Sequence, residues 1–596
     1  MKNLLHLNKY FYKYRWRLLL GILFVTLSNV FGVLPPQVIR HAFNLVKENI
    51  EYYHLYSGFE LQSSFYGVFS SAVIFFGLAV VALAIMKGIF MFFMRQTMIV
   101  MSRLIEYDFR NEIYEHYQKL TTAFYKRHRT GDMMSRITED VSRVRMYLGP
   151  ALMYSVNLTV LIVIVVSTML QVNVELTLYA LIPLPILSVS IYYVNNVINR
   201  RSEEIQRQLS NLTSIAQESY SGIRVLKAYT QEKATDTYFD KESESYKQKS
   251  LRLATVQALF FPLMMVLVGA SIIITIYIGG QQVINGYLTS GNIAEFVIYI
   301  NMLTWPVMSI GWVASIIQRA EASQERINEF LKSEPEVASP NNDALTLKGK
   351  VAMDKVSFTY PDTGIEALKE VSFELKSGEK MALIGRTGSG KSTIAELLVR
   401  KYDSTEGQIL MDDVDVRDLN LSALRAQIGY VPQDVFLFSD TIRDNIAFGK
   451  EEATTEEVRQ AVHQAVILKE IDDLPEKFLT LVGERGVTLS GGQKQRISLA
   501  RAIIKDPQLL IFDDCLSAVD ANTEHTIINN LNNYLSDKTA IIITHRIFSL
   551  MNFDKIVVLE QGRIVEVGTH ESLMSARGYY FDLYEKQRLE EKKMTL

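Results

Sequence analysis

Only one of the 596 residues is a cysteine, Cys515, so no disulfide can form within the chain and a disulfide-stapled extracellular scaffold is excluded. Its setting, in the stretch LLIFDDCLSAVD from Leu509 to Asp520, suits a small packed side chain. Charge of one sign is also lacking: 62 basic residues stand against 65 acidic ones, and no basic block dominates, which removes nucleic acid from the candidate partners. A removable signal peptide is not expected either. The first apolar run follows a basic start, but it is long, carries Pro35 and Pro36 at its far end, lacks a small-residue cleavage site, and is followed by further runs. A chain of this length needs roughly two to four domains. Its average, 48% hydrophobic and 21% charged, hides a very apolar part and an ordinary soluble one.

The apolar part is the first half. Six runs there are long enough to cross a bilayer core, which takes roughly 20 helical residues. They lie approximately at Leu18–Ile39, Ser71–Val100, Tyr147–Leu170, Leu176–Ile198, Ala254–Gly279 and Ile293–Ile317. The N-terminus carries Lys2, Lys9, Lys13, Arg15 and Arg17, whereas the short connections at 171–175 and 280–292 carry no basic residue, which places both termini in the cytoplasm. Two long charged loops, about Met101–Met146 and Asn199–Leu253, read mostly as helix and are expected to extend the spans into the cytosol. Within them FYKRHRTGDMMSRITEDVSRVR, from Phe124, and QESYSGIRVLKAYTQE, from Gln217, each contain a glycine that is expected to turn the chain between two helices. Lys87 is the main charge inside a span.

The polar stretch SEPEVASPNND, from Ser333, separates the halves. The expected organisation is an α-helical polytopic membrane domain over 1–335, a linker over 336–345, an α/β domain over 346–585 and a charged tail over 586–596. In the α/β part, short β-branched strands alternate with helical patterns, the signature of a mostly parallel sheet.

Between the strand-like KMALI and the helical TIAELLVRKY lies GRTGSGKST: Gly385, Arg386, Thr387, Gly388, Ser389, Gly390, Lys391, Ser392 and Thr393. It matches the phosphate-binding loop in the required strand-to-helix context. Gly388 and Gly390 let backbone N–H groups approach phosphate oxygens, Lys391 neutralises the β and γ phosphates, and Ser392 would ligate Mg2+. The pair Asp513 and Asp514, which alone could be a solvated strand end, then acquires a use. Such a fold needs an acidic strand end opposite the loop to hold magnesium, a need that Asp513 fills, and Asp514 is placed to polarise an attacking water in ATP hydrolysis. TLSGGQKQR, from Thr488, opens a helix at Ser490, Gly491, Gly492 and Gln493 and offers a second anion-facing turn.

With these motifs on one chain, residues 18 to about 580 resemble a half-transporter of the ATP-binding cassette (ABC) exporter superfamily, a membrane domain fused to an ATPase cassette. The resemblance implies a dimer in which two cassettes meet head to tail, each ATP lying between one P-loop and the other subunit's signature, here Leu489–Gln493. It also implies that Tyr360 stacks on adenine, that Gln433 senses magnesium and the attacking water, that His545 is the switch histidine near the γ-phosphate, and that Ser517–Asp520 communicates between the two sites. The segment VGERG, Val482–Gly486, resembles an exporter element contacting the membrane domain. Phe124–Asp132 and Gln217–Tyr229 resemble the elements that dock on the cassettes, with Phe436 and Phe438 as candidates to line the receiving groove.

Most active family members carry Glu where this chain has Asp514. Shortening by one methylene withdraws the carboxylate by roughly 1 Å, a misplacement worth on the order of 10²-fold in rate. The combination of Asp514 with an intact signature resembles the Asp-bearing subunit of heterodimeric bacterial multidrug exporters, and a homodimer with two slow sites stays open. The expectation is an integral multi-pass protein of the bacterial cell (inner) membrane, its cassette cytoplasmic. It would use ATP and Mg2+ to export or flip amphipathic compounds, drugs or lipids by alternating access, beside a second half-transporter and in contact with membrane lipid. A regulatory ATP-binding membrane subunit with little turnover is the alternative. Phe75, Phe76, Phe90, Phe92, Phe93 and Trp305 are candidates for an apolar substrate pocket.

Overall fold

The computed structural model describes residues 3–55, 58, 61–339, 343, 345–483, 486, 489–545 and 553–594. It forms two compact units, the first made of Met1–Tyr117 with Gly131–Lys332 and the second of Gln118–Thr130 with Ser333–Leu596.

Several helices of the first unit run far past what a bilayer requires. In chain order the main helices are α1 (Arg15–Leu55) and α2 (Leu61–Lys119), then, after a short helix α3 (Thr122–Arg127) that belongs to the second unit, α4 (Leu152–Val172), α5 (Pro183–Ser221), the short α6 (Ile223–Ala228), α7 (Glu232–Ile284) and α8 (Ser290–Leu331). Six helical stretches among the described residues are long and apolar enough to cross a membrane, and each contains one of the runs read from the sequence. The stretch Tyr66–Lys119 has 54 residues, roughly 80 Å of helix against a core of about 30 Å, so its charged end lies well outside the hydrocarbon. Pro35 and Pro36 do not end the first helix but lie inside α1. The two glycine breaks differ. Gly222 caps α5 as expected, whereas Gly131 lies within a helical turn, Thr130–Ser135, and the chain bends instead at Leu120–Thr121 and His128–Arg129. The correction has a local reason: Thr121 and His128 take up extended backbone, which ends the flanking helices before the glycine is reached.

The core of this unit gathers on α8, where Phe296, Tyr299, Ile300 and Leu303 pack against Val33, Val165, Met169, Leu187 and Met264. Glu295, fully buried, is paired with Arg40 at 3.0 Å and accepts a hydrogen bond from the Tyr299 hydroxyl at 3.1 Å.

In the second unit, β1 (Val351–Thr359), β2 (Glu366–Leu375), β4 (Glu406–Met411) and β5 (Val414–Asp415) form an antiparallel sheet in the order β2-β1-β4-β5. The other sheet runs β10-β9-β3-β8-β7-β6, built from β3 (Lys380–Gly385), β6 (Ile428–Val431), β7 (Leu509–Asp513), β8 (Thr539–Ile543), β9 (Lys555–Glu560) and β10 (Arg563–Gly568). All its pairs are parallel except β9 with β10. Strand β7 is buried along its whole length, which is why LLIFD reads as an unbroken apolar run ending in a carboxylate. The helices α9 (Lys391–Leu398), α10 (Gly491–Ile503) and α11 (Tyr579–Met594) follow the cradle, the signature and the last strand respectively.

Removing Arg40 leaves Glu295 as an unpaired buried charge. Arg40→Ala should destabilise the chain by about 3 kcal/mol, and replacing both partners by apolar residues should recover most of that loss. Thermal unfolding in detergent measures it; a double variant no better than the single one contradicts this account of the pair.

Candidate functional site

Strand β3 ends at Gly385 and α9 begins at Lys391, so the loop between them presents its backbone at a helix start. Gly388 and Gly390 have φ of 81° and 102°, conformations that a side chain disfavours, and a Cβ on Gly390 would stand 2.6 Å from the Ala367 carbonyl oxygen. Lys391, 6% exposed, donates through its ammonium to the carbonyls of Gly385 and Arg386, both at 2.9 Å. Burial lowers its pKa, opposed by the charges of Asp513 and Asp514.

Across the sheet, β7 delivers Asp513 to the loop. The Ser392 hydroxyl donates to its carboxylate at 3.1 Å. Asp513 is 2% exposed, and burial raises its pKa, with the Ser392 bond acting in the opposite direction. The next residue, Asp514, adopts φ of 47°, a left-handed conformation that Asp tolerates, and its N–H donates to the Ile543 carbonyl at 2.9 Å. That turn brings Asp514 into the same cavity as Asp513. His545, one strand over, faces the same space, its pKa lowered first by burial and then by the Lys391 charge.

This cavity, about 500 Å³, is lined by Thr387, Gly388, Gly390, Lys391, Ser392 and Thr393 on one side and by Gln433, Asp513, Asp514 and His545 on the other, with Tyr360 at its edge. Gly385, Arg386 and Ser389 do not line it; Arg386 lies against the Tyr579 ring of α11, 5.7 Å from its centroid. The signature residues are not among the lining either. Ser490 caps α10, accepting from the Gln493 N–H at 3.2 Å, while the Gln493 side-chain oxygen accepts from the Ser490 N–H at 2.9 Å. Gly492 is held where a Cβ would stand 2.8 Å from the Ala518 carbonyl oxygen. Ser517 donates through its hydroxyl to the Asp514 carbonyl at 3.0 Å, and Gln495 donates to Ser517 at 3.1 Å, so the signature helix and the strand end are tied together. Thr488, Glu484 and Arg485 lie outside the described residues.

Two features were not foreseen from the sequence. The Tyr360 hydroxyl is shared with Thr393 at 3.0 Å and Glu396 at 3.1 Å, which fixes the ring beside the cradle. Lys126, on α3, sits 5.1 Å from that ring's centroid and 3.8 Å from the Glu396 carboxylate. Ala123 of α3 belongs to the cassette core, and Phe124, buried, stacks on His128 at 4.1 Å. No sequence signal ties Lys126 to Tyr360 across more than two hundred residues; the α/β core has to form first. Cys515 is buried, its thiol pushed up to about 12, consistent with packing.

Residues 18–307 match the family model for the ABC transporter transmembrane region, and residues 368–517 match that described as ABC transporter. The chain belongs to the ABC transporter family. It is 36% identical over 585 residues, 97% of each chain, to the probable multidrug resistance ABC transporter ATP-binding/permease protein YheI of Bacillus subtilis. To the multidrug resistance-like ATP-binding protein MdlA of Escherichia coli it is 33% identical, covering 98% of this chain and 96% of that one. An ATP-dependent lipid A-core flippase of Syntrophus aciditrophicus is 34% identical, with 86% of each chain covered. Among solved structures, a bacterial Atm1-family ABC exporter with ATP bound aligns with a TM-score of 0.75 at 28% identity, over 96% of this chain and 98% of that one. This ABC transporter is therefore a multi-pass membrane protein with an attached nucleotide-binding ATPase, of the class that works as a dimer.

Because Gly390 combines a left-handed backbone with a carbonyl oxygen that a Cβ would clash with, Gly390→Ala should cost roughly 1–3 kcal/mol and weaken nucleotide binding together with stability. Thermal unfolding with and without nucleotide measures both; an unshifted midpoint contradicts the strain.

Proposed function

We propose that this chain is one half of an ABC exporter that couples ATP hydrolysis to the outward movement or flipping of amphipathic compounds, drugs or lipids. The observation that carries the residue roles is the Ser392–Asp513 hydrogen bond, which sets a hydroxyl and a carboxylate side by side in the cavity that also holds Lys391. These oxygens, with Gln433, suit Mg2+, which uses one or two carboxylates and leaves its other positions to water and phosphate. Bound there, Mg2+ supplies charge neutralisation of the phosphates. Lys391 exchanges its two loop carbonyls for phosphate oxygens, the N–H groups of the loop hold the chain of phosphates, and Tyr360 receives the adenine. Asp514 orients and accepts the proton of the attacking water, while His545, kept neutral by its surroundings, hydrogen-bonds beside the reacting phosphate. The names of YheI, MdlA and the lipid A-core flippase support an amphipathic substrate, and they leave the regulatory-subunit reading without support.

The cassette lies on the cytoplasmic side of a bacterial cell membrane in this reading. Coupling runs through two segments. The first, α3, is packed into the cassette of its own chain; the second, around Tyr220, Val225 and Tyr229, is exposed. An exposed aromatic group on the cassette, Phe436, Phe438 and Phe448, with Arg501 over the last two rings, is suited to receive the second segment from the other subunit. The short carboxylate of Asp514 with an intact signature favours a heterodimer in which this signature completes the faster site of a Glu-bearing partner.

Lys391→Ala should lower nucleotide affinity at this site by tenfold or more, since a buried charge-assisted contact is worth roughly 1.5–3 kcal/mol; unchanged binding of a fluorescent ATP analogue rules out the phosphate role. In the heterodimer, Asp514→Asn should cost far less turnover than neutralising the partner's Glu. An isolated chain that hydrolyses ATP at an ordinary rate, abolished by Asp514→Asn, instead makes Asp514 a competent base in a homodimer. Phe124→Ala should uncouple transport from ATP binding; equal loss of both places Phe124 in the nucleotide site.

A further inference from the structure

Three charged residues fall within the six membrane runs: Lys87, Arg95 and Glu295. Glu295 is neutralised by Arg40. Lys87 has no such partner: among the described residues, no hydrogen bond or ion pair involves its ammonium. It lies about 13 residues from the cytoplasmic end of its run and 16 from the outer end, roughly 20 Å of helix either way, farther than a lysine stem of about 6 Å can snorkel. An unpaired cation at this depth is costly and marks function by default.

Its surroundings combine polar and apolar groups. The ammonium sits over Gly32 of α1, 3.2 Å from where a Cβ would stand, so the absent side chain makes its room. On the polar side, the Ser28 hydroxyl donates to the Lys87 carbonyl at 3.3 Å, and the next residue, Asn29, donates through its amide to Asn157 of α4 at 2.9 Å. On the apolar side, Phe31 stacks on Phe90, centroids 5.4 Å apart, next to both Gly32 and Lys87. In a dimer of two copies of this chain, no further acid reaches mid-depth, because Glu295 is the only acidic residue in the runs.

Resting on the exporter reading above, we propose that Lys87 selects the charge of the substrate: the carried amphiphile has an anionic head, a carboxylate or phosphate that pairs with Lys87 while its tail lies against the Phe31–Phe90 pair. The cation is left unpaired by the protein because the ligand supplies the counter-charge, and in the low-dielectric core that pairing discriminates strongly against neutral and cationic heads.

The test uses the assembled full-length dimer in nanodiscs of phosphatidylcholine. ATPase stimulation is titrated with dodecanoate as a free anionic amphiphile and with dodecyl maltoside as a neutral one, and flipping of fluorescent phosphatidylglycerol is compared with phosphatidylcholine in proteoliposomes. Stimulation by dodecanoate assigns a free amphiphile as the source of the anion, and selective flipping of phosphatidylglycerol assigns a membrane lipid; either supports the proposal when it depends on Lys87. The ratio of half-saturating concentrations, anionic to neutral, should rise about tenfold in Lys87→Gln, stay within twofold in Lys87→Arg, and favour a cationic amphiphile, dodecyltrimethylammonium, in Lys87→Glu. Transport that ignores head charge in the wild type, or variants that change anionic and neutral probes alike, overturns the proposal while leaving the exporter intact. A wild-type dimer that moves none of these amphiphiles, under conditions where it turns over ATP, overturns the exporter reading and this one with it.

Discussion

A triphosphate must be enclosed by donors before its hydrolysis can do mechanical work, and this chain presents its two anion-facing backbones in separate places. The cradle at the start of α9 packs on a core that includes Ile394, Leu397 and Leu398, and the Ser490 turn at the start of α10 packs on another that includes Ile497, Leu499 and Ala500. Among the described residues, the signature turn does not line the cavity that the cradle lines. The shared site implied by the family therefore makes association of two chains part of the chemistry, and any closure driven by ATP is transmitted as movement between chains.

The proposed nucleotide site is already held together by its own hydrogen bonds. Lys391 is held by two loop carbonyls, Ser392 by Asp513, and Tyr360 by Thr393 and Glu396, so each group already has a fixed place, and in the proposed function Lys391 trades its loop carbonyls for phosphate oxygens. Lys126 lies against this last group, and it comes from the segment that interrupts the long membrane-domain helices. If Tyr360 receives adenine as proposed, a change there is also a change at the segment proposed to carry coupling.

Much of this was legible in the sequence because the signals are local. The phosphate cradle has fixed spacing, β7 is an uninterrupted apolar run ending in Asp513, and each membrane run exceeds the length of a bilayer core. What was not legible depends on contacts between distant residues or on a single backbone angle. Gly131 looked like a break, yet the extended residues Thr121 and His128 end the helices first. The left-handed backbone of Asp514, which turns its carboxylate into the cavity, has no signature in residue type alone. The position of Lys126 over Tyr360 arises only once the strands that carry Tyr360 are assembled.

The claim that two chains complete each ATP site is tested most directly at a residue outside this chain's own cavity. Ser490→Arg places a bulky cation on the signature turn and leaves every cavity side chain in place. With the purified dimer, nucleotide binding and steady-state ATP turnover are measured together. The account predicts that binding to this chain's cradle persists while turnover of the dimer falls at least tenfold. Turnover that survives the substitution unchanged would contradict a site shared between chains.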